Sequence, residues 1–393
     1  MGKQALILTT THEFLGKFEQ ENVKILQHMG YTVHYASNMK EPRYVKDWER
    51  IKKMGVLAHH IEIARSPFLF RENIKALRQL LRLIRVYNIQ ILHCHTPVGG
   101  VLGRMAGCLY RGGTLVVIYT AHGFHFYRGA PLLNWIAYYP VERWLARYTD
   151  ILIVINQEDY ENARYFRLKK GGRLCQIPGV GLDEKAYAPL SRGERLRLRK
   201  KLGIGEEAFF LVSVGELNEN KNHQVVLEAL AKQKGSRQGR KIRYAICGDG
   251  FFRDRIQEQI HSLGLADQVT LYGYCPKIAE ILGCADASVF PSRREGLGMA
   301  GLESLAMGVP VLAADNRGTR EYMRNGRNGF ICPYDDADGF ARGILRLMGM
   351  GEQEKKRMRR ECANTVRPFR KSRVRARMRS VYAYADRKAR GRW

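Results

Sequence analysis

Two glutamates, Glu295 and Glu303, stand eight positions apart with Gly296, Leu297 and Gly298 between them. An apolar run, Ala287–Phe290, precedes them, and a Gly-Val-Pro turn with a second apolar run, Val309–Ala313, follows. The pattern predicts a strand, a polar loop and a helix opening at about Gly296 to Met299. Residues eight apart on a helix lie close to one face, so both acids are expected on one side of one pocket. Backbone N–H groups at a helix start, with the helix dipole behind them, favour a phosphate. Acid, amide donors and acid together describe a pocket for a sugar joined to a diphosphate and a ribose. Read blandly, the acids only complement the helix dipole. The glycine-rich loop and the downstream Gly318-Thr-Arg-Glu321 segment favour the pocket.

Other chemically capable residues fall where apolar runs end. In a doubly wound sheet, ligands collect outside the carboxyl ends of the strands. Thr10 and Thr11 end the first run and are expected at an interdomain cleft, as acceptor contacts. His93 and His95 in Ile91-Leu-His-Cys-His-Thr96 share one strand face. That suits a metal, but no third ligand stands at a matching spacing, so zinc is not expected. His95 either lines the cleft or packs in the core. His122, followed by Gly123, ends the run Leu115–Tyr119 in a substrate-binding position. Phe124 and His125 open a stretch to Tyr139 dense in aromatics, with Arg128 among them. It reads either as ordinary helix packing or as a polar–apolar interface facing an acceptor. Gly215 ends the run Phe209–Val214 and opens Glu216-Leu-Asn-Glu-Asn-Lys221. Gly248 and Gly250 follow Arg243–Cys247 and are further candidates to face a nucleotide.

These residues need a scaffold of strands and helices in alternation, an α/β chain with parallel sheets. At 393 residues the chain calls for two domains rather than one core. Its formal charge of +28 implies a polyanionic partner: nucleic acid, an anionic membrane surface or phosphorylated substrates. No nucleic-acid reader motif is present, so nucleic acid is not expected. Eight scattered cysteines lack any C-x-x-C pair, which favours reduced thiols over zinc or disulfides. No stretch approaches the ~18 apolar residues of a spanning helix, so membrane contact is expected to be peripheral. Residues 71–87 pair an apolar stripe (Ile74, Leu77, Leu81, Ile84) with a basic one (Arg71, Lys75, Arg78, Arg82, Arg85). That basic stripe is either a solvated face or a seat on anionic lipid. A second basic run, 351–393, carries an apolar stripe of Phe369, Val374, Met378, Val381 and Tyr382, and its end, Arg387–Trp393, reads as a mobile tail.

The ordered segments Glu295-Gly-Leu through Glu303-Ser-Leu-Ala-Met-Gly308-Val-Pro310, Asp315-Asn-Arg-Gly318-Thr-Arg-Glu321 and Asn325-Gly-Arg-Asn-Gly329-Phe resemble the signature of family-four retaining glycosyltransferases. Ala121-His-Gly-Phe-His-Phe-Tyr-Arg-Gly through Trp135, with Tyr138-Tyr-Pro140, is similar to bacterial exopolysaccharide and capsule transferases of the EpsD-like branch. The resemblance spans nearly the whole chain. It implies the GT-B fold: two Rossmann-like doubly wound domains, 1–187 for the acceptor and 188–367 for the nucleotide sugar. Residues 368–393 would then supply a helix crossing back to the first domain, plus a basic tail.

The resemblance also implies roles. Gly215, Lys221 and the amides of Gly296, Leu297 and Gly298 would hold the donor diphosphate. Glu295 would hold the sugar hydroxyls, Glu303 the ribose, and His122 the sugar near its reacting carbon. Many relatives carry an arginine where Glu216 stands, and Arg293 or Arg294 is expected to replace that charge. No metal or cofactor is implied. The acceptor hydroxyl attacks on the face the diphosphate leaves, with the leaving phosphate as base. The expected donor is a UDP-sugar and the expected acceptor a polyprenyl-diphosphate-linked or other saccharide. The expected location is cytoplasmic, peripheral on the inner face of the membrane. A nucleotide-sugar 2-epimerase and an inactive scaffold on the same fold are the rival readings.

Overall fold

Apolar residues that alternate along a strand, buried on both sides, require cover on both sheet faces, and this rule organises the computed structural model. The structure describes residues 2–40, 48–233 and 242–391. The chain forms two compact units, Met1–Gly181 with Ser372–Trp393, and Leu182–Lys371.

The first unit carries β1 (Lys3–Thr11), β2 (Tyr31–Asn38), β3 (Leu57–His60), β4 (Ile91–His95), β5 (Val116–Ala121), β6 (Ile151–Val154) and β7 (Arg173–Gln176). They form one sheet of order β3-β2-β1-β4-β5-β6-β7, parallel throughout. Leu6, Leu8, Leu92, Val117 and Tyr119 pack on one face against the helices Phe70–Val86 and Pro97–Leu109. Ala5, Ile7, Ile91, Val116 and Ile118 pack on the other with Val374, Met378, Val381 and Tyr382 of the helix Lys371–Ala389. Val374 to Tyr382 of the C-terminal stripe are thus a core face of the first unit, whereas Phe369 packs with Tyr322 in the second.

The second unit carries β8 (Phe209–Val214), β9 (Ile242–Cys247), β10 (Val269–Gly273), β11 (Ala287–Phe290), β12 (Val311–Ala314) and β13 (Gly329–Cys332). Their order is β10-β9-β8-β11-β12-β13, again all parallel. Strand order reverses between β1 and β4 in one unit and between β8 and β11 in the other. Those are the points where a doubly wound sheet opens a ligand crevice.

Three details depart from expectation. The boundary falls at Gly181/Leu182, because Leu182 pairs with the end of the second unit: its N–H donates to Phe369 O and its carbonyl accepts from Lys371 N–H, both at 2.8 Å. The helix Lys371–Ala389 continues through Arg387, and Lys388 is buried with Nζ 2.8 Å from Asp150 Oδ1, so that part of the tail is fixed. Residues 392 and 393, including Trp393, lie outside the described residues. The helix Phe70–Val86 buries Asn73, Ala76, Leu80 and Ile84 and leaves Ile74 exposed, a small rotation of the expected stripe. The five basic residues of that helix are exposed, and all eight cysteines are free.

Candidate functional site

In the second unit the loop after β8 and the loop after β11 are tied together at the switch point. Arg293 N–H donates to Asn220 O at 2.8 Å, and Asn220 Nδ2 donates to Arg294 O at 3.0 Å. Asn222 holds a left-handed backbone (φ 54°) and donates from Nδ2 to Pro291 O and Tyr334 O. Across this tie Lys221 Nζ meets Glu295 Oε1 at 2.6 Å, both side chains partly exposed. A partly exposed ammonium with one carboxylate on it keeps capacity for further acceptors, since an ammonium has three donors. Lys221 also lies along Gly215, where an added Cβ would stand 3.2 Å from the lysine chain. Arg293 is engaged at 2.6 Å by Glu219, while Arg294 is exposed, its backbone fixed by Asn220.

The helix opens at Met299, with Gly298 as its left-handed cap (φ 84°). Glu295 therefore lies in the loop and not on the helix. The shared-face argument fails, and Lys221 orients Glu295 instead. Glu303 does lie on the helix, and Tyr187 is its hydrogen-bond partner; burial lifts its carboxyl to about 7. Gly248 and Gly250 have a packing role. A Cβ on Gly248 (φ 152°) would stand 1.8 Å from Gly215 O, so glycine lets the end of β9 support the Gly215–Lys221 loop. Glu216, half-buried, accepts at its backbone carbonyl from Asn218 N–H at 3.0 Å.

In the first unit the switch point is lined by threonines and histidines, of which Thr10, His93 and His95 are enclosed. Thr10 and Thr96 share a hydroxyl–hydroxyl hydrogen bond of 2.6 Å between the ends of β1 and β4. Thr96 (φ 63°, ψ 155°) occupies a backbone region that costs about 1–3 kcal/mol for a non-glycine residue. Thr11 accepts from Tyr35 Oη at its carbonyl, at 2.8 Å. His93 and His95 share a face, as their spacing predicts. His93 is saturated by Tyr382 Oη at 2.7 Å and Thr120 Oγ1 at 2.8 Å. His95 Nδ1 lies 3.1 Å from His122 Nε2, and His95 Nε2 lies 3.3 Å from Glu19 Oε2. A π-helical turn, Leu15–Glu19, carries Glu19 inward; such turns recur at functional sites. Phe14 packs against both His95 and His122, at 5.5 and 5.3 Å between ring centres.

Burial also sets the protonation of this group. It lifts the Glu19 carboxyl to about 8, drops His122 to about 4, and holds His95 well below the usual imidazole range. Glu19, His93 and His95 bring possible ligand atoms within 4.8 Å of one another, a third group that spacing did not reveal.

The structure revises two acceptor candidates. His95 is 1% exposed and reaches outward only through His122. Phe124 is 3% exposed, stacked on Phe126, and belongs to the core. His125 stacks on Tyr138 at 4.6 Å. In the helix Leu132–Leu145 the aromatics Trp135, Tyr138 and Tyr139 pack on the core, while Leu132, Leu133 and Ile136 are exposed. Residues that sequence reasoning missed are Glu19, Tyr187 and Arg317. Arg317, nearly buried, donates from Nε to Glu295 O at 3.3 Å. Its place inside the Asp315–Glu321 signature was the one available signal.

Residues 194–365 match the family model described as glycosyl transferases group 1, and residues 7–156 that described as glycosyl transferase 4-like. The chain is 41% identical over 389 residues to EpsD of Bacillus subtilis (strain 168), named as a glycosyltransferase, covering 98% of each chain. This chain belongs to the family-four glycosyltransferases of the GT-B fold. It is also 28% identical, over 70% of each chain, to an Escherichia coli UDP-Gal:alpha-D-GlcNAc-diphosphoundecaprenol alpha-1,3-galactosyltransferase. The fold matches Anabaena Alr3699/HepE, solved in complex with UDP and glucose, with a TM-score of 0.77 at 17% identity, covering 97% of this chain and 100% of that one. Sucrose-phosphate synthase from Thermosynechococcus elongatus matches at 0.75 and 17%, covering 98% and 99%. The signature that identified the family in the sequence is the segment that builds the Lys221–Glu295 loop pair.

Proposed function

We propose that this glycosyltransferase moves a sugar, with retention, from a UDP-sugar to a polyprenyl-diphosphate-linked or other saccharide acceptor in bacterial surface polysaccharide assembly. The observation that carries the reading is the Lys221–Glu295 pair at the second switch point, 2.6 Å apart and reachable from solvent. The lysine offers charge to a diphosphate, and the glutamate offers lone pairs to sugar hydroxyls. Arg294 adds a second exposed cation on the same loop, so side-chain cations rather than a metal serve as countercharge. Glu303 and its partner Tyr187 would receive the ribose. His122 would contact the sugar near the reacting carbon, with the leaving phosphate as base. The protein's contribution is orientation and charge stabilisation.

The relatives' names support the substrate classes, one a UDP-Gal transferase onto a diphosphoundecaprenol-linked sugar. A peripheral seat on the inner leaflet of the cell membrane completes the proposal. No helix among the described residues is long and apolar enough to cross a membrane. Exposed Phe68, Leu69, Phe70 and Ile74 adjoin Arg71, Lys75 and Arg78, an apolar and basic start to one helix that suits anionic lipid.

A thermal-shift series with UDP, GDP and ADP on wild type and Lys221→Ala tests the donor site. A ligand that binds only the folded state raises its stability with concentration over Kd. Stabilisation by UDP that disappears in the variant is the expected result; no shift with any nucleotide would sink the reading. Sedimentation with anionic vesicles tests the lipid seat, and unchanged binding after Arg71, Lys75 and Arg78 are neutralised would remove that helix from it.

A further inference from the structure

We propose that the helix Leu132–Leu145 is an in-plane anchor whose outer face enters the interface of an anionic phospholipid bilayer. The inference rests on the reading of a peripheral lipid seat at the helix Phe70–Val86. It adds a second helix and an apolar mode of binding.

The helix is apolar on nearly all sides. Trp135, Tyr138 and Tyr139 turn inward onto the core, and Glu142 is held there by the buried Arg104 at 2.6 Å. These contacts fix the roll of the helix, so its opposite side faces out. That side carries Leu132, Leu133, Ile136, Pro140, Val141 and Trp144, all exposed. At 3.6 residues per turn they form one stripe along roughly 20 Å of helix. Leu132 and Leu133 are 74% and 73% exposed, and Ile136 is 64% exposed. A helix that is apolar all round belongs against apolar material on every side. A contiguous exposed patch of this kind marks an interaction surface.

Charge selects the occupant. From Pro131 to Arg147 every exposed residue is apolar or is one of the arginines Arg143 and Arg147, and Arg128 is exposed just before the helix. A second copy seated face to face would bring like charges together, because a two-fold contact pairs a surface with itself. An anionic headgroup layer accepts the arginines while the acyl boundary accepts the aliphatic side chains. Trp144, with an apolar body and one polar N–H, suits the zone between them.

Topology fixes where this face lies. In a parallel sheet each crossover helix starts beyond the carboxyl end of the strand before it. β5 ends at Ala121 and this helix starts at Leu132; β3 ends at His60 and the basic helix starts at Phe70. The exposed starts, Leu132–Leu133 and Phe68–Phe70, therefore lie at the end of the first sheet where His122 stands. A bilayer seated there presents a lipid-linked acceptor to that end.

The test uses the full chain and vesicles of phosphatidylglycerol and phosphatidylcholine in equal parts, with no nucleotide present. Wild type should sediment with the vesicles, and about 0.5 M salt should weaken that binding without abolishing it. Leu133→Glu and Ile136→Glu should each lower the partition about tenfold, with the thermal transition and its UDP shift unchanged. Wild-type tryptophan emission should move to the blue on vesicles and be quenched by lipids brominated on their acyl chains. Trp144→Phe should lose that response and still bind. Full partition of both glutamate variants would overturn the proposal and leave the seat at Arg71, Lys75 and Arg78 standing. Wild-type emission that vesicles leave unmoved would overturn it too, whatever the variants' folding. A wild type that ignores vesicles would overturn both lipid readings, with the donor site still read from the UDP series. A dimer that Ile136→Glu splits in light scattering would assign the face to a second copy and overturn the proposal.

Discussion

The two units share one sheet plan and fill the switch point differently. In the second unit the loops after β8 and β11 meet through a charged pair, Lys221 with Glu295, partly open to solvent. In the first, the ends of β1, β4 and β5 meet through threonines and histidines, of which Thr10, His93 and His95 are enclosed. The difference follows from dielectric. A charge kept near water pays little desolvation and can attract a diphosphate, whereas the same charge fully buried would be neutralised by a shifted pKa. The second unit is therefore built to hold charge, and the first to place neutral hydrogen-bond donors and acceptors.

The largest test of that contrast is acid. His34, His93, His95 and His122 in the first unit titrate below the usual imidazole range because burial disfavours their cations; in the second unit His223 does so. A group whose folded pKa is depressed binds fewer protons when folded, so its stability contribution is lost as pH falls below the unfolded value near 6.5. His34 and His93 alone should cost about 2–3 kcal/mol each by pH 4.5. All tryptophans lie outside residues 182–371. Thermal unfolding at pH 4.5 should therefore move the tryptophan fluorescence transition ahead of the far-UV circular dichroism one. Coincident transitions with unchanged order from pH 7 would break the comparison.

Next in size is Lys221→Ala, which removes the cation paired with Glu295 at 2.6 Å. A drop of about 10²–10³ in kcat is expected, the range for losing a preorganised charge partner at a transition state. A change confined to KM would mean that the lysine binds substrate and transition state alike.

Gly248→Ala sharpens the comparison from the structural side. Its Cβ would overlap Gly215 O, so the Gly215–Lys221 loop must shift, at a cost of about 2–3 kcal/mol. The loss should appear in the second unit, with tryptophan fluorescence unfolding unchanged. The smallest effect separates neighbouring arginines. Arg294→Ala should weaken UDP binding about tenfold, or about 1.4 kcal/mol, and Arg293→Ala, already occupied by Glu219, less than about twofold. Equal effects would mean that the Glu219 pairing does not withhold Arg293 from the ligand.

Much of this was legible along the chain. Apolar runs of strand length placed β1, β5, β8 and β11, and their ends named Thr10, His122, Gly215 and Glu295 because parallel strands gather polar function at their carboxyl ends. The Glu295–Gly329 signature named the family, since it is local, ordered and long. The period of a strand also put His93 and His95 on one face.

What spacing could not reach was contact between distant segments. Glu19 arrives at His95 from 76 positions away, and Tyr187 reaches Glu303 from 116. Phe124 looks like an exposed aromatic beside Arg128 until the core claims it, and the contact that orients Glu295 comes from Lys221, 74 positions away. Periodicity and end positions reflect backbone geometry, which each segment carries by itself, so sequence sufficed for the sheets, the loop of Glu295 and the family. Burial depends on what the other segments cover. The burial of Glu19 beside His95 exists only once the turn Leu15–Glu19, β4 and the C-terminal helix have closed around it.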